Sequence, residues 1–92
     1  MIYFKSKQDT DPSKLASAIA HNITNSDIEI SCLGSQAVNA TIKGLVIAKK
    51  YVQNEPFTLT FDFYSLEESN DKGEVLNVIK VVVSKVKKEG EF

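Results

Sequence analysis

The sequence predicts an α+β domain: a two-layer sandwich in which two helices cover one face of a mixed four-stranded sheet, in the order β-α-β-α-β-β. Three features of the chain carry this expectation. Apolar residues alternate with polar ones, or run in Val and Ile, in segments that open at Ile2, Ile28, Phe57 and Val75. Segments with helical spacing lie between the first and second of these and between the second and third. The last two strands are joined directly by the turn residues Asp71-Lys72-Gly73.

Taken in order, Ile2, Phe4 and Ser6 alternate with Tyr3, Lys5 and Lys7, giving a first strand with one apolar and one lysine-bearing face. After a break at Gln8-Asp9-Thr10-Asp11, Asp11 offers a side-chain cap and Pro12 fits the first helical position. The helix that follows places Leu15, Ala16, Ile19, Ala20 and Ile23 on one side, and Asn25-Ser26 stops it. Ile28, Ile30 and Cys32 then alternate with Glu29 and Ser31 as a second strand, parallel to the first through a right-handed crossover.

A second helix is expected from about Ser35 to about Asn54, with Gln36, Asn39, Lys43 and Lys50 in a narrow polar stripe. Ala37, Val38, Ala40, Ile42, Leu45, Val46, Ile47, Ala48, Tyr51 and Val52 cover far more than the usual apolar face. Such a helix must bury more than one side, and a homodimer through this helix and the sheet edge is the economical way to do so. Phe57, Leu59, Phe61 and Phe63 alternate with Thr58, Thr60, Asp62 and Tyr64, and the phenylalanine face is assigned to the core. A turn over Glu67 to Gly73 leads to the Val- and Ile-rich strand Val75 to Val86. The uncovered sheet face would carry Tyr3, Lys5, Lys7, Glu29, Thr58, Thr60, Asp62 and Lys80.

At 92 residues and 42% hydrophobic content, the chain reads as one domain over 1–92, with a modest core. It has no solenoid repeat and no low-complexity stretch. No apolar run approaches the ~20 residues needed to span a bilayer. Met1-Ile2-Tyr3-Phe4-Lys5 is too short and too soon charged for a signal peptide, so a cytoplasmic location is expected. The lone Cys32 cannot form an internal disulfide, which agrees with a reducing compartment. The net charge is −1, so any basic surface must be local. All eleven basic residues are lysine; the bidentate fork by which arginine reads guanine is missing, and nucleic-acid contacts would go to phosphates with little sequence readout.

The candidate site is the junction Leu33-Gly34-Ser35-Gln36, where a strand enters a helix through a glycine. The first N–H groups of a helix lack intrahelical acceptors, and the helix dipole adds partial positive charge there. A phosphate could be held by these amides with Ser35 and Gln36, and with Asn39 and Lys43 one and two turns along. The plainer reading is an ordinary strand-to-helix connection with Ser35 as the cap. Lys5, Lys7 and Lys43 join the candidate site if the fold brings the sheet edge and the helix onset together. Lys49, Lys50, Lys85, Lys87 and Lys88 read as solvated charge balanced by Glu89 and Glu91. His21 has no second ligand nearby, Cys32 falls on a core face, and Asp9 and Asp11 read as turn and cap residues. No metal site, cofactor or enzymatic activity is expected.

Several of these segments together resemble a known family. Ile2 to Lys7, Asp11-Pro12-Ser13-Lys14-Leu15-Ala16, Leu33-Gly34-Ser35-Gln36-Ala37-Val38-Asn39, Ile42-Lys43-Gly44, Ile47-Ala48 and Val78-Ile79-Lys80-Val81-Val82-Val83 look like the bacterial stage V sporulation protein S family, over nearly the whole chain. That family is similar to the Alba group of chromatin and RNA-binding proteins. The resemblance implies an Alba-like fold, a dimer, and contact with DNA or RNA at three places: the end of strand one, the loop opening the second helix, and the hairpin arm.

Lys7 matches the first of these, with Lys14 nearby. Ser35 and Gln36 stand where Alba proteins have arginine, and Glu67, Glu68, Asp71 and Glu74 outweigh Lys72 on the arm. The expected function is a small nucleic-acid-binding regulator of sporulation, cell division or gene expression. The alternative is a protein-interaction module on the same fold that no longer binds nucleic acid.

Overall fold

The computed structural model describes residues 1–88, so Glu89 and Glu91, assigned above as counter-charges to the C-terminal lysines, lie outside the described residues. The elements are β1 (Ile2–Ser6), α1 (Pro12–Asn22), β2 (Ile28–Cys32), α2 (Ser35–Tyr51), β3 (Phe57–Ser69) and β4 (Val75–Lys87), the order expected from the sequence. The sheet order is β1-β2-β4-β3. β1 and β2 are parallel and the other two pairings antiparallel, so the sheet is mixed.

Each helix begins for a local reason. Asp11 caps α1, its Oδ1 accepting from the Ser13 amide at 2.9 Å, and Pro12 occupies the first turn, where its missing N–H costs nothing. α2 starts at Gly34, whose φ of +92° only glycine adopts without strain, and no side chain caps it. Ser35 is thus the first helical residue and not the cap. α2 ends at Tyr51, short of Asn54, because the chain turns at Val52 to Glu55 to enter β3.

The core lies between the sheet and the helices. Ile28, Ile30 and Cys32 of β2 pair in register with Val83, Val81 and Ile79 of β4, which places them on one sheet face. All but Ile79, which stays 36% exposed, meet Leu15, Ala16, Ile19 and Ile23 from α1 and Ala37, Leu45 and Ala48 from α2. The helices approach closely at Gly44, where a Cβ would stand 3.1 Å from Leu15 Cδ2 and 3.2 Å from the Pro12 carbonyl oxygen. A side chain there would force Leu15 and the Pro12 carbonyl to give by a few tenths of an ångström.

The hairpin departs from expectation. β3 runs through Glu67, Glu68 and Ser69, so the turn is confined to Asn70–Glu74. The Asn70 side-chain oxygen accepts from the amides of Lys72 (2.9 Å) and Glu74 (3.0 Å), and Gly73 takes φ +78°. Thirteen-residue strands extend about 44 Å and the five-residue β1 and β2 about 17 Å, so the ribbon overruns its neighbours. The phenylalanine face is accordingly only partly core: Leu59 is buried, Phe57 and Phe61 are half-buried, and Phe63 is 50% exposed. The helical layer ends before it reaches Phe63.

Candidate nucleic-acid interface at the Gly34 pole

Because β1 and β2 are parallel, their carboxyl ends lie at the same end of the molecule, and each feeds the N-terminus of a helix there. The β3–β4 arm projects from this end too, since Cys32, the last residue of β2, pairs with Ile79 near the start of β4. Crevices outside the carboxyl ends of parallel strands are common ligand sites.

The Gly34 turn is anchored from below. The Leu33 amide donates to the Ser6 carbonyl at 3.0 Å, which continues the β1–β2 ladder up to the turn. The buried Ser6 hydroxyl donates to the Ala37 carbonyl at 3.2 Å, tying the end of β1 to the first turn of α2. The Cys32 thiol bonds the buried Thr41 hydroxyl at 3.3 Å. Burial pushes the Cys32 thiol up from its ordinary value and the bond to Thr41 lowers it in part, so this sulfur is a protonated core group at neutral pH. Alternation places Ser6 and Cys32 on the inner face, but their helix partners follow only from how α2 is seated.

Above these anchors, the amides of Ser35, Gln36 and Ala37 have no intrahelical acceptor, while Val38 already donates to the Gly34 carbonyl at 3.1 Å. A polar hollow of about 220 Å³ opens here, lined by Gln8, Leu33, Gly34, Ser35 and Gln36. Gln8 is the residue of this hollow that sequence reasoning passed over; its position two residues beyond β1 is the signal that could have found it. Lys7 precedes it, exposed, with its backbone fixed by reciprocal bonds to Thr10: its amide donates to the Thr10 hydroxyl at 2.8 Å and its carbonyl accepts from the Thr10 amide at 3.1 Å.

The chain matches the stage V sporulation protein S family model over residues 3–86. It belongs to that family. No individual curated protein matches it. The family match takes in the Gly34 pole, both helices and the whole arm of this stage V sporulation protein S chain.

The remaining candidate residues are distributed around the pole. Asn39 and Lys43 are exposed on α2 and follow Gln36 at helical spacing, so the three form one stripe. Lys43 also borders a shallow apolar hollow of about 440 Å³ with Pro12, Ser13, Ile42, Val46 and Ile47. Lys14 is exposed on α1. Lys5 is not part of this grouping: it stands on the uncovered sheet face, in register with Ser31, on the side away from the helices and from Lys43.

Across that uncovered face, the Tyr64 phenol donates to Glu29 at 2.5 Å and the Ser84 hydroxyl to Asp27 at 3.1 Å. The bond to Glu29 raises the Tyr64 pKa above its ordinary value. The contact therefore holds through neutral pH and is lost as alkaline pH rises through the raised value.

At the opposite end, two lysines do more than face solvent. Lys85 donates to the Thr24 carbonyl at 2.6 Å and Lys88 to the Gln53 carbonyl at 2.7 Å, each just beyond the C-terminal end of a helix, where positive charge is favourable. Among the described residues, no cluster of His, Cys, Asp or Glu is arranged to hold a metal, and no helix is long and apolar enough to cross a membrane.

Proposed function

We propose that this protein binds DNA or RNA through backbone phosphates at the Gly34 pole, with little sequence preference. On this reading it is a binding protein and not a catalyst, and acts in sporulation, cell division or gene regulation. The observation that carries the reading is the uncapped start of α2: outward amides, with Ser35, Gln36 and Gln8 around them and Lys7 beside them. Membership of the stage V sporulation protein S family supports it, through the Alba-like character that the sequence resemblance implies.

The proposal includes a homodimer. Val38, Ile42 and Val46 form one stripe on α2; Ile42 and Val46 are 41% and 53% exposed. Val38 and Ile79 line a common hollow, and Phe63, on the same sheet face as Ile79, extends the apolar surface onto β3. A second copy laid on this surface would cover all of them and double the phosphate-binding poles. Sedimentation velocity at micromolar concentration tests this, and a monomer there removes the dimer from the proposal.

Titration of labelled duplex DNA and single-stranded RNA at several salt concentrations tests the binding. Affinity is expected to fall linearly with salt on logarithmic axes. Lys7→Gln is expected to reduce that slope by about 1. Gln36→Glu, which sets a carboxylate at the helix onset, is expected to weaken binding about tenfold. No binding at low salt, or binding indifferent to both substitutions, overturns the reading. The acidic arm, with Glu67, Asp71 and Glu74 exposed beside Lys72, favours a second reading: an interaction surface for another protein. Absence of nucleic-acid binding would leave that one standing.

A further inference from the structure

The uncovered sheet face and the arm enclose a cleft of about 280 Å³ that the Gly34 pole does not use. It lies just below the range of about 300–1,000 Å³ usual for small-molecule sites, which limits an occupant to a few carbons and one polar group. We propose that it binds a small aliphatic monocarboxylate.

The polar side of the cleft follows from the strand register. Lys5, Ser31 and Lys80 stand in one row across β1, β2 and β4, with their side chains on the same face. Lys80 is drawn in, its side chain only 12% exposed, with Nζ donating to the Ser31 hydroxyl at 2.6 Å and paired with Glu68 at 3.4 Å. An ammonium carries three donors, so one is left for a ligand. The Ser31 hydroxyl accepts from Lys80 and has no acceptor of its own among the described residues, so its proton is free to donate. A carboxylate seated over Ser31 would take these two donors and face the Lys5 ammonium from the other side.

The apolar side sets the rest of the ligand. Val78 is 1% exposed, while Leu33 and Leu76 remain 39% and 45% exposed at the rim, so an aliphatic body placed between them removes further apolar surface from water. Charge selects the head group. Two lysines and Glu68 sum to +1, which a monoanion neutralises and a phosphate dianion exceeds. A nucleic-acid strand is disfavoured here by Glu67, Asp71 and Glu74 around the arm.

The test is an amide chemical-shift titration of the full chain with sodium isovalerate, beside its neutral amide, isovaleramide, and inorganic phosphate. Isovalerate is expected to give saturable shifts at Ser31, Leu33, Leu76, Val78 and Lys80 with a dissociation constant on the order of millimolar. Lys5→Met, at an exposed position, is expected to weaken it about fivefold with the rest of the spectrum unchanged. Lys80→Met is expected to abolish it. Equal binding of isovaleramide or phosphate, shifts confined to Gly34–Gln36, no saturable shifts, or full affinity in both variants overturns the proposal. Because phosphate is expected to leave this cleft empty, its failure and that of the nucleic-acid reading are separate results.

Discussion

Under the two helices, Ile28, Ile30, Val81 and Val83 are at most 2% exposed, whereas Phe63, Val75 and Leu76 along the arm keep between 45% and 61% of their surface in contact with solvent. β3 and β4 are continuous from one region to the other and alternate in the same way, so strand propensity does not distinguish them. In the body, stability comes from apolar area removed from water by a second layer. On the arm, that layer is missing, and the ladder is helped by the Asn70 turn, the Lys80–Glu68 pair, the buried Val78 and a few cross-strand contacts. A two-stranded ribbon is marginal alone. The arm is therefore the region of this molecule whose order a partner or ligand can change at least cost, and it borders both proposed sites.

Substitutions in the two regions test this contrast. The largest effect is expected in the body: Ile30→Ala, at a fully buried position, is expected to cost about 2–5 kcal/mol in denaturant unfolding. A loss below that range would mean the core collapses around the gap. An intermediate effect is expected where the arm leaves the body. Phe63→Ser removes an exposed side chain, so the folded monomer should change little, while dimer association measured by sedimentation is expected to weaken by about 1–3 kcal/mol. Unchanged association would take Phe63 out of the interface. The smallest effect belongs to the tip: Asn70→Ala removes the two bonds its side-chain oxygen accepts from the turn amides and the one its side-chain amide donates to Glu74, and is expected to cost about 1 kcal/mol. It should appear in hydrogen exchange as faster exchange at residues 66–78 with the body protected. Faster exchange throughout would show that arm and body open together.

The same contrast explains what could be read in the chain. The body was legible because burial imprints its period on the residues: Ile2-Phe4-Ser6, Ile28-Ile30-Cys32 and Leu15-Ile19-Ile23 each state which side faces in. Asp11-Pro12 and Gly34 fixed where the helices start, through capping chemistry and a backbone angle that need no tertiary information. On the arm the pattern loses its meaning. Glu67-Glu68-Ser69 reads as loop because it is polar, yet both faces of the ribbon meet water there and polarity no longer separates strand from turn. Phe63 reads as core because the alternation continues past the point at which the helices end.

The candidate site divides in the same way. Local chemistry alone placed a helix onset just after Gly34, and parity turned Lys5 away from the core; that this onset is uncapped, with Ser35 already inside the helix, follows from the folded chain. Tertiary structure decided that Gln8 reaches the same hollow as Gln36, that Ser6 and Thr41 hold the turn from beneath, and that Lys5 lies with Lys80 and Ser31 and not with Lys43. Each of these joins residues from different elements, and their distances are set by how the helical layer is seated on the sheet and by strand register. Those are properties of the packed chain as a whole, which no local pattern records.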